Sequence, residues 1–152
     1  MNARFAETTR VIPALFQQLA SSPHFVEKGV AAQKKKAGIY VFFENGKAIH
    51  VGRTRDLGRR LRGHISRSHY SASFAFKRAR RQLDRKATYT TKGSRADLLK
   101  DPEFAEAFYS HVELLKSLQV RFLEVKDPLQ QYLLELYAAL EYGLELDEFD
   151  TH

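Results

Sequence analysis

The chain has 152 residues, 43% hydrophobic and 28% charged, a length that predicts one domain and buries roughly 70% of the unfolded surface without staples. With no Cys there is no disulfide framework, thiolate zinc site or cysteine nucleophile. No apolar run approaches the ~20 residues of a membrane span and the opening MNARFAETTR lacks the apolar core of a signal peptide, so a cytoplasmic protein without membrane contact is expected. The net charge of +7 conceals an asymmetry, because residues 1–98 hold 21 Lys+Arg against 6 Asp+Glu and residues 99–152 hold 4 against 12.

Phe5, Ile12, Leu15, Phe16 and Leu19 recur at loose helical spacing, which predicts an accessory helix over residues 2–20 within an N-terminal segment 1–36. Residues 38–43 and 47–52 are β-rich runs joined through Asn45-Gly46, the dipeptide preferred in two-residue hairpin turns. Ideal pairing about that turn sets Glu44 opposite Lys47 and Tyr40 opposite Val51, with Tyr40 and His50 on opposite faces unless a bulge intervenes. Asp56 caps a predicted helix running through His64 and beyond, with Leu57, Leu61 and Ile65 on its core stripe and Arg60 and His64 along the border.

Residues 73–83 read as a short basic helix and 87–95 as a polar loop. Residues 102–116 form an amphipathic helix through Phe104, Phe108, Val112 and Leu115, and 120–125 form a third strand. Asp127-Pro128 starts a helix over 129–142. The order predicts an α+β domain, a small three-stranded and mainly antiparallel sheet flanked by helices.

Charge concentrates further over residues 53–95, with 14 basic and 2 acidic residues, the footprint of a polyanion-binding surface. Leu57, Leu61, Ile65, Tyr70, Phe74, Phe76 and Leu83 thread the same stretch and anchor it to a core. Arg53, Arg55, Arg59, Arg62, Arg67, Lys77, Arg78, Arg80 and Arg81 read as phosphate contacts, which raise affinity regardless of sequence. Tyr70, Phe74, Phe76 and Tyr89 are either core residues or stacking partners for the bases of a single strand.

Gly38-Ile39-Tyr40, then His50-Val51-Gly52, then RTRDLGRRLRGH from Arg53 to His64 closely resembles the GIY-YIG nuclease domain of homing endonucleases, some restriction enzymes and excision-repair incision proteins. The resemblance spans roughly residues 37–147, leaves 148–152 as a tail, and implies a β-β-α-β-α core. It implies that Tyr40 positions or deprotonates the attacking water, that Arg60 contacts the scissile phosphate, and that His64 lies near it. It also implies a single metal-binding glutamate on the helix after the third strand, best matched by Glu135 with Glu141 second, and a following asparagine whose nearest counterpart is Asp147. The second motif tyrosine is His50 here, and an imidazole can still accept or donate a proton near neutral pH.

Phosphodiester hydrolysis needs an activated water, a cation to neutralise charge on the non-bridging oxygens, and help for the departing oxygen. One carboxylate holding a hydrated Mg²⁺ or Mn²⁺ supplies the cation. A planar guanidinium grips two phosphate oxygens where an ammonium cannot, so Arg60 should not tolerate Lys. Glu135 has no cation at i±3 or i±4 on its own helix, and its neighbours Ala138 and Ala139 admit another element. The expectation is a DNA endonuclease using one Mg²⁺ or Mn²⁺, cytoplasmic or nucleoid-associated, with branched or single-stranded DNA among its partners and a monomer as the default assembly. Two readings stand beside it: a non-catalytic nucleic-acid-binding module that retains the fold and basic face, and a protein-interaction domain with an acidic carboxyl end. In those, Tyr40 is an ordinary strand aromatic and His64 a core-edge histidine.

Overall fold

A computed structural model of the chain describes residues 1–26, 35–86, 88 and 90–145. The elements are α1 (Ala3–Ser21), β1 (Gly38–Glu44), β2 (Lys47–Thr54), α2 (Leu57–His64), α3 (Ser73–Gln82), α4 (Arg95–Leu98), α5 (Pro102–Ser117), β3 (Gln119–Glu124) and α6 (Pro128–Glu141). This is the expected α+β order, with the single turn α4 added before α5. The strands form one antiparallel sheet in the order β2-β1-β3. The chain divides into two compact units, residues 1–59 with 118–152 and residues 60–117.

The first unit holds the sheet, α1 and α6. Asn45 and Gly46 both take positive φ, 51° and 78°, the requirement of the tight hairpin turn that Asn-Gly meets at least cost. Glu44 pairs with Lys47 as expected, but Phe43 pairs with Ala48 while Phe42 pairs with His50, so Ile49 is a bulge residue. The bulge corrects the ideal register: Tyr40 lies opposite Gly52 rather than Val51, and Tyr40 and His50 share a face. The physical reason is the core. Without the extra residue the imidazole of His50 would face inward and Val51 outward; the bulge exchanges them, and Val51 joins Ile39, Val41, Phe43 and Ala48 in the apolar cluster.

That cluster is closed by Ile12, Phe16 and Leu19 from α1 and by Leu134 and Ala138 from α6. Each large apolar side chain buried there contributes about 1.5–3 kcal/mol. Phe25 exchanges two backbone hydrogen bonds with Val120, 2.9 and 2.7 Å, and so covers part of the β3 edge. Asp127 caps α6 by accepting from the Leu129 amide at 2.8 Å, with Pro128 pre-set for the first turn. The buried amide of Gln131 donates to the Val125 carbonyl, tying α6 to the end of β3.

Residues 60–117 form the second unit, in which α3 and α5 pack together. The Phe76 ring centre lies 5.1 Å from that of Phe104 and 5.8 Å from that of Phe108, and Phe74, Ala79, Val112 and Leu115 are also buried. The helix α2 ends at His64 rather than running on, because the Ser66 amide and hydroxyl both take the Gly63 carbonyl, at 3.2 and 2.8 Å. Among the described residues no helix is long and apolar enough to cross a membrane.

Candidate functional site

Both motif glycines are demanded by close packing. A Cβ on Gly52 would collide with the outer ring atoms and hydroxyl of Tyr40, and a Cβ on Gly38 would collide with the Leu123 carbonyl and sit 2.8 Å from the Val125 nitrogen. The tyrosine ring therefore lies over the strand position where only glycine has no side chain, while Gly38 lets β1 approach β3. Tyr40 is buried, with Phe42 edge-on at 5.7 Å and His50 tilted at 5.8 Å between ring centres. His50 also faces Phe42 at 6.0 Å. The histidine at the motif's second tyrosine position is thus one ring of an aromatic row on the face of the sheet away from α6.

A second grouping starts from the other face. Arg53 pairs across the hairpin with the core residue Ile39, and its side chain reaches α6. Its guanidinium lies 3.9 Å from the centre of the Tyr132 ring, and its Nε lies 3.4 Å from Glu135 Oε2. The cation that Glu135 lacks on its own helix comes from β2. The carboxylate is 17% exposed; burial pushes its pKa up, and the opposing pull of Arg53 does not cancel that. Arg53 Nε makes an ion pair with Glu135 but no aligned hydrogen bond. Glu141, the second choice, is exposed and stands beside the Tyr137 hydroxyl.

Among the described residues no three His, Cys, Asp or Glu side chains converge. Glu135 is the inward carboxylate of α6, and any cation it met would compete with Arg53 for it. Asp147 and Tyr89 lie outside the described residues.

Arg60 and His64 belong to the second unit. Arg60 donates to the Ser71 carbonyl at 3.4 Å and to Ser73 Oγ at 3.2 Å, which fixes its guanidinium against the start of α3. His64 is fully buried, edge-on to Phe74 at 6.5 Å. Of the residues read as phosphate contacts, Arg55, Arg59, Arg62, Arg67 and Arg81 are exposed and Lys77, Arg78 and Arg80 are half-buried. Arg53 is half-buried and engaged by Glu135 and Tyr132. Sequence reasoning missed Tyr132; its place one turn before Glu135 on the same helix is the signal that could have found it. Comparison of the chain with known protein families, curated proteins and solved structures yields no match.

Proposed function

We propose that the chain is a GIY-YIG-type endonuclease that hydrolyses DNA phosphodiester bonds with one Mg²⁺ or Mn²⁺, acting in the cytoplasm or at the nucleoid. The observation that carries this reading is Glu135, a largely buried carboxylate whose ionised form is disfavoured by its surroundings and opposed by a single cation. A perturbed carboxylate paired with one specific charge is a functional-site signature, and this one sits on the helix where the resemblance expects the metal ligand. The seating of Tyr40 over Gly52 adds support, since it explains both the motif tyrosine and the motif glycine by one contact.

In this reading water adds to phosphorus as a P–O bond of the backbone breaks. Within the first unit Tyr40 positions the water or takes its proton with His50 beside it; the resemblance alone adds Arg60, whose planar guanidinium suits a phosphate, and His64 for proton transfer. Glu135 would hold the divalent ion, which would supply positive charge against the phosphate oxygens. Arg53 orients Glu135 when the ion is absent. The alternative, a binding module without catalysis, draws on two observations: two of the Arg60 donors are engaged by Ser71 and Ser73, and His50 is packed as a core-edge ring.

The test is incubation of the purified chain with plasmid, branched and single-stranded DNA in Mg²⁺ or EDTA. Metal-dependent nicking that Glu135→Ala abolishes, with DNA binding retained, is the expected result. Binding with no metal-dependent nicking would establish the alternative, and normal cutting by Glu135→Ala would move the metal ligand to Glu141.

A further inference from the structure

Residues 60–117 carry 13 Lys/Arg against 6 Asp/Glu, net +7, whereas the rest of the chain carries 12 against 12. All of the net charge therefore belongs to the second unit. Of the aromatics of the basic stretch that suit either core or stacking, the fold separates the three that are described. Phe74 and Phe76 are 4% and 1% exposed and belong to the core, whereas Tyr70 is 76% exposed.

An isolated exposed tyrosine needs no explanation, but Tyr70 is mounted. The His69 ring lies against it with centres 4.0 Å apart and planes 39° apart, so one side of the phenol is backed. His69 is itself held: its carbonyl accepts from Arg95 Nη1 at 3.0 Å, and its ring packs 6.2 Å from Phe76. Arg95 in turn lies 5.2 Å from the Phe76 ring. Burial, aided by Arg95, pulls the His69 pKa down, which favours the neutral imidazole. The connecting segment is closed by its own hydrogen bonds, with the Ser71 and Ala72 amides both on the Ser68 carbonyl at 3.2 and 2.8 Å. Just before it the Arg67 guanidinium carbon lies over the Tyr109 ring, 3.8 Å from its centre, and Arg62, Arg67 and Arg81 are exposed in the same unit.

We propose that Tyr70, backed by His69, is a stacking platform for an unpaired base, so that the chain prefers DNA with a single-stranded or unstacked nucleotide over continuous duplex. The inference rests on the reading that the partner is DNA. An aromatic ring already packed on one side and set on a pinned segment loses little freedom when a base covers its other side. A duplex hides its base faces except at its ends, whereas every base of a single strand offers one, and arginines nearby meet the phosphates whatever the sequence.

The test uses the full chain in EDTA with a single strand bearing a fluorescent adenine analogue, the same strand in duplex, and variants at Tyr70. Wild type should bind the single strand more tightly and quench the analogue. Removal of one base–aromatic stack corresponds to about 5- to 150-fold in affinity, so Tyr70→Ala should weaken single-strand binding by at least about fivefold and abolish the quench, with duplex binding within about twofold of wild type. Tyr70→Phe should retain both binding and quench, which separates stacking from any structural effect. Equal single-strand binding by wild type and Tyr70→Ala, or equal weakening on both DNA forms, overturns the platform while leaving DNA as the partner. Failure of the wild type to retain any DNA at low salt overturns the DNA reading and the platform together.

Discussion

Gly52→Ala isolates the contact that joins the two halves of the sequence motif. The new methyl would occupy space already filled by the Tyr40 ring and hydroxyl. The ring has nowhere to retreat, being 1% exposed between Phe42 and His50. No positive φ is found at Gly52, so the cost is steric rather than conformational. Overpacking of this kind costs about 1–3 kcal/mol, and at about 2–4 °C per kcal/mol for a chain of this size the melting midpoint should fall by roughly 2–12 °C. In a Tyr40→Ala background the obstacle is gone, and the same Gly52→Ala change should be neutral or stabilise by about 0.4–1 kcal/mol through the unfolded chain. Urea unfolding of the four proteins of this double-mutant cycle measures the coupling directly. Gly46→Ala serves as contrast: nothing lies near its Cβ but its φ is +78°, so its cost should persist in the Tyr40→Ala background. A Gly52→Ala protein as stable as wild type, or one that Tyr40→Ala fails to rescue, would refute the seating of Tyr40 on the glycine.

Glu135→Gln should stabilise the protein at neutral pH. Because burial raises the folded pKa of Glu135 above its ordinary 4.5, the stability it contributes is complete below that ordinary value and is lost as pH rises through the folded value; melts at about pH 4 and about pH 7 should show the variant gaining over wild type only at the higher pH. The opposite trend would mean that the Arg53 ion pair outweighs desolvation. Replacing Arg62, Arg67 and Arg81 by Gln should lower DNA affinity across sequences and reduce the slope of log affinity against log salt by about 0.9 for each phosphate that is no longer neutralised; an unchanged slope would remove those residues from the interface.

Much of the local structure was legible because its causes are local. Asn45-Gly46 accepts two positive φ angles that few other pairs tolerate, and the hairpin follows. Asp56 accepts from the Arg59 amide at 3.1 Å and starts α2 as its position implies. The end of α2 was less visible, since Leu61 and Ile65 continue the apolar stripe and the helix gives way where Ser66 bonds to Gly63.

Taken alone, the sequence determined the elements, their order and the small antiparallel sheet, because turn chemistry, capping and periodicity act over a few residues. It also singled out Tyr40, Gly52 and Glu135, which the fold places in close contacts. The tertiary structure decided what depends on two distant segments meeting. It placed the Ile49 bulge, which turns Val51 into the core and His50 toward Tyr40, and it gave Glu135 a cation from another element. It also redrew the charge map. Along the chain, a basic front faces an acidic end; folded, the described residues of the first unit bring 10 basic side chains together with 8 acidic ones, while residues 60–117 carry 13 against 6. Charge adds along a chain as a running total, but a partner meets it as a surface, and only folding decides which residues share one.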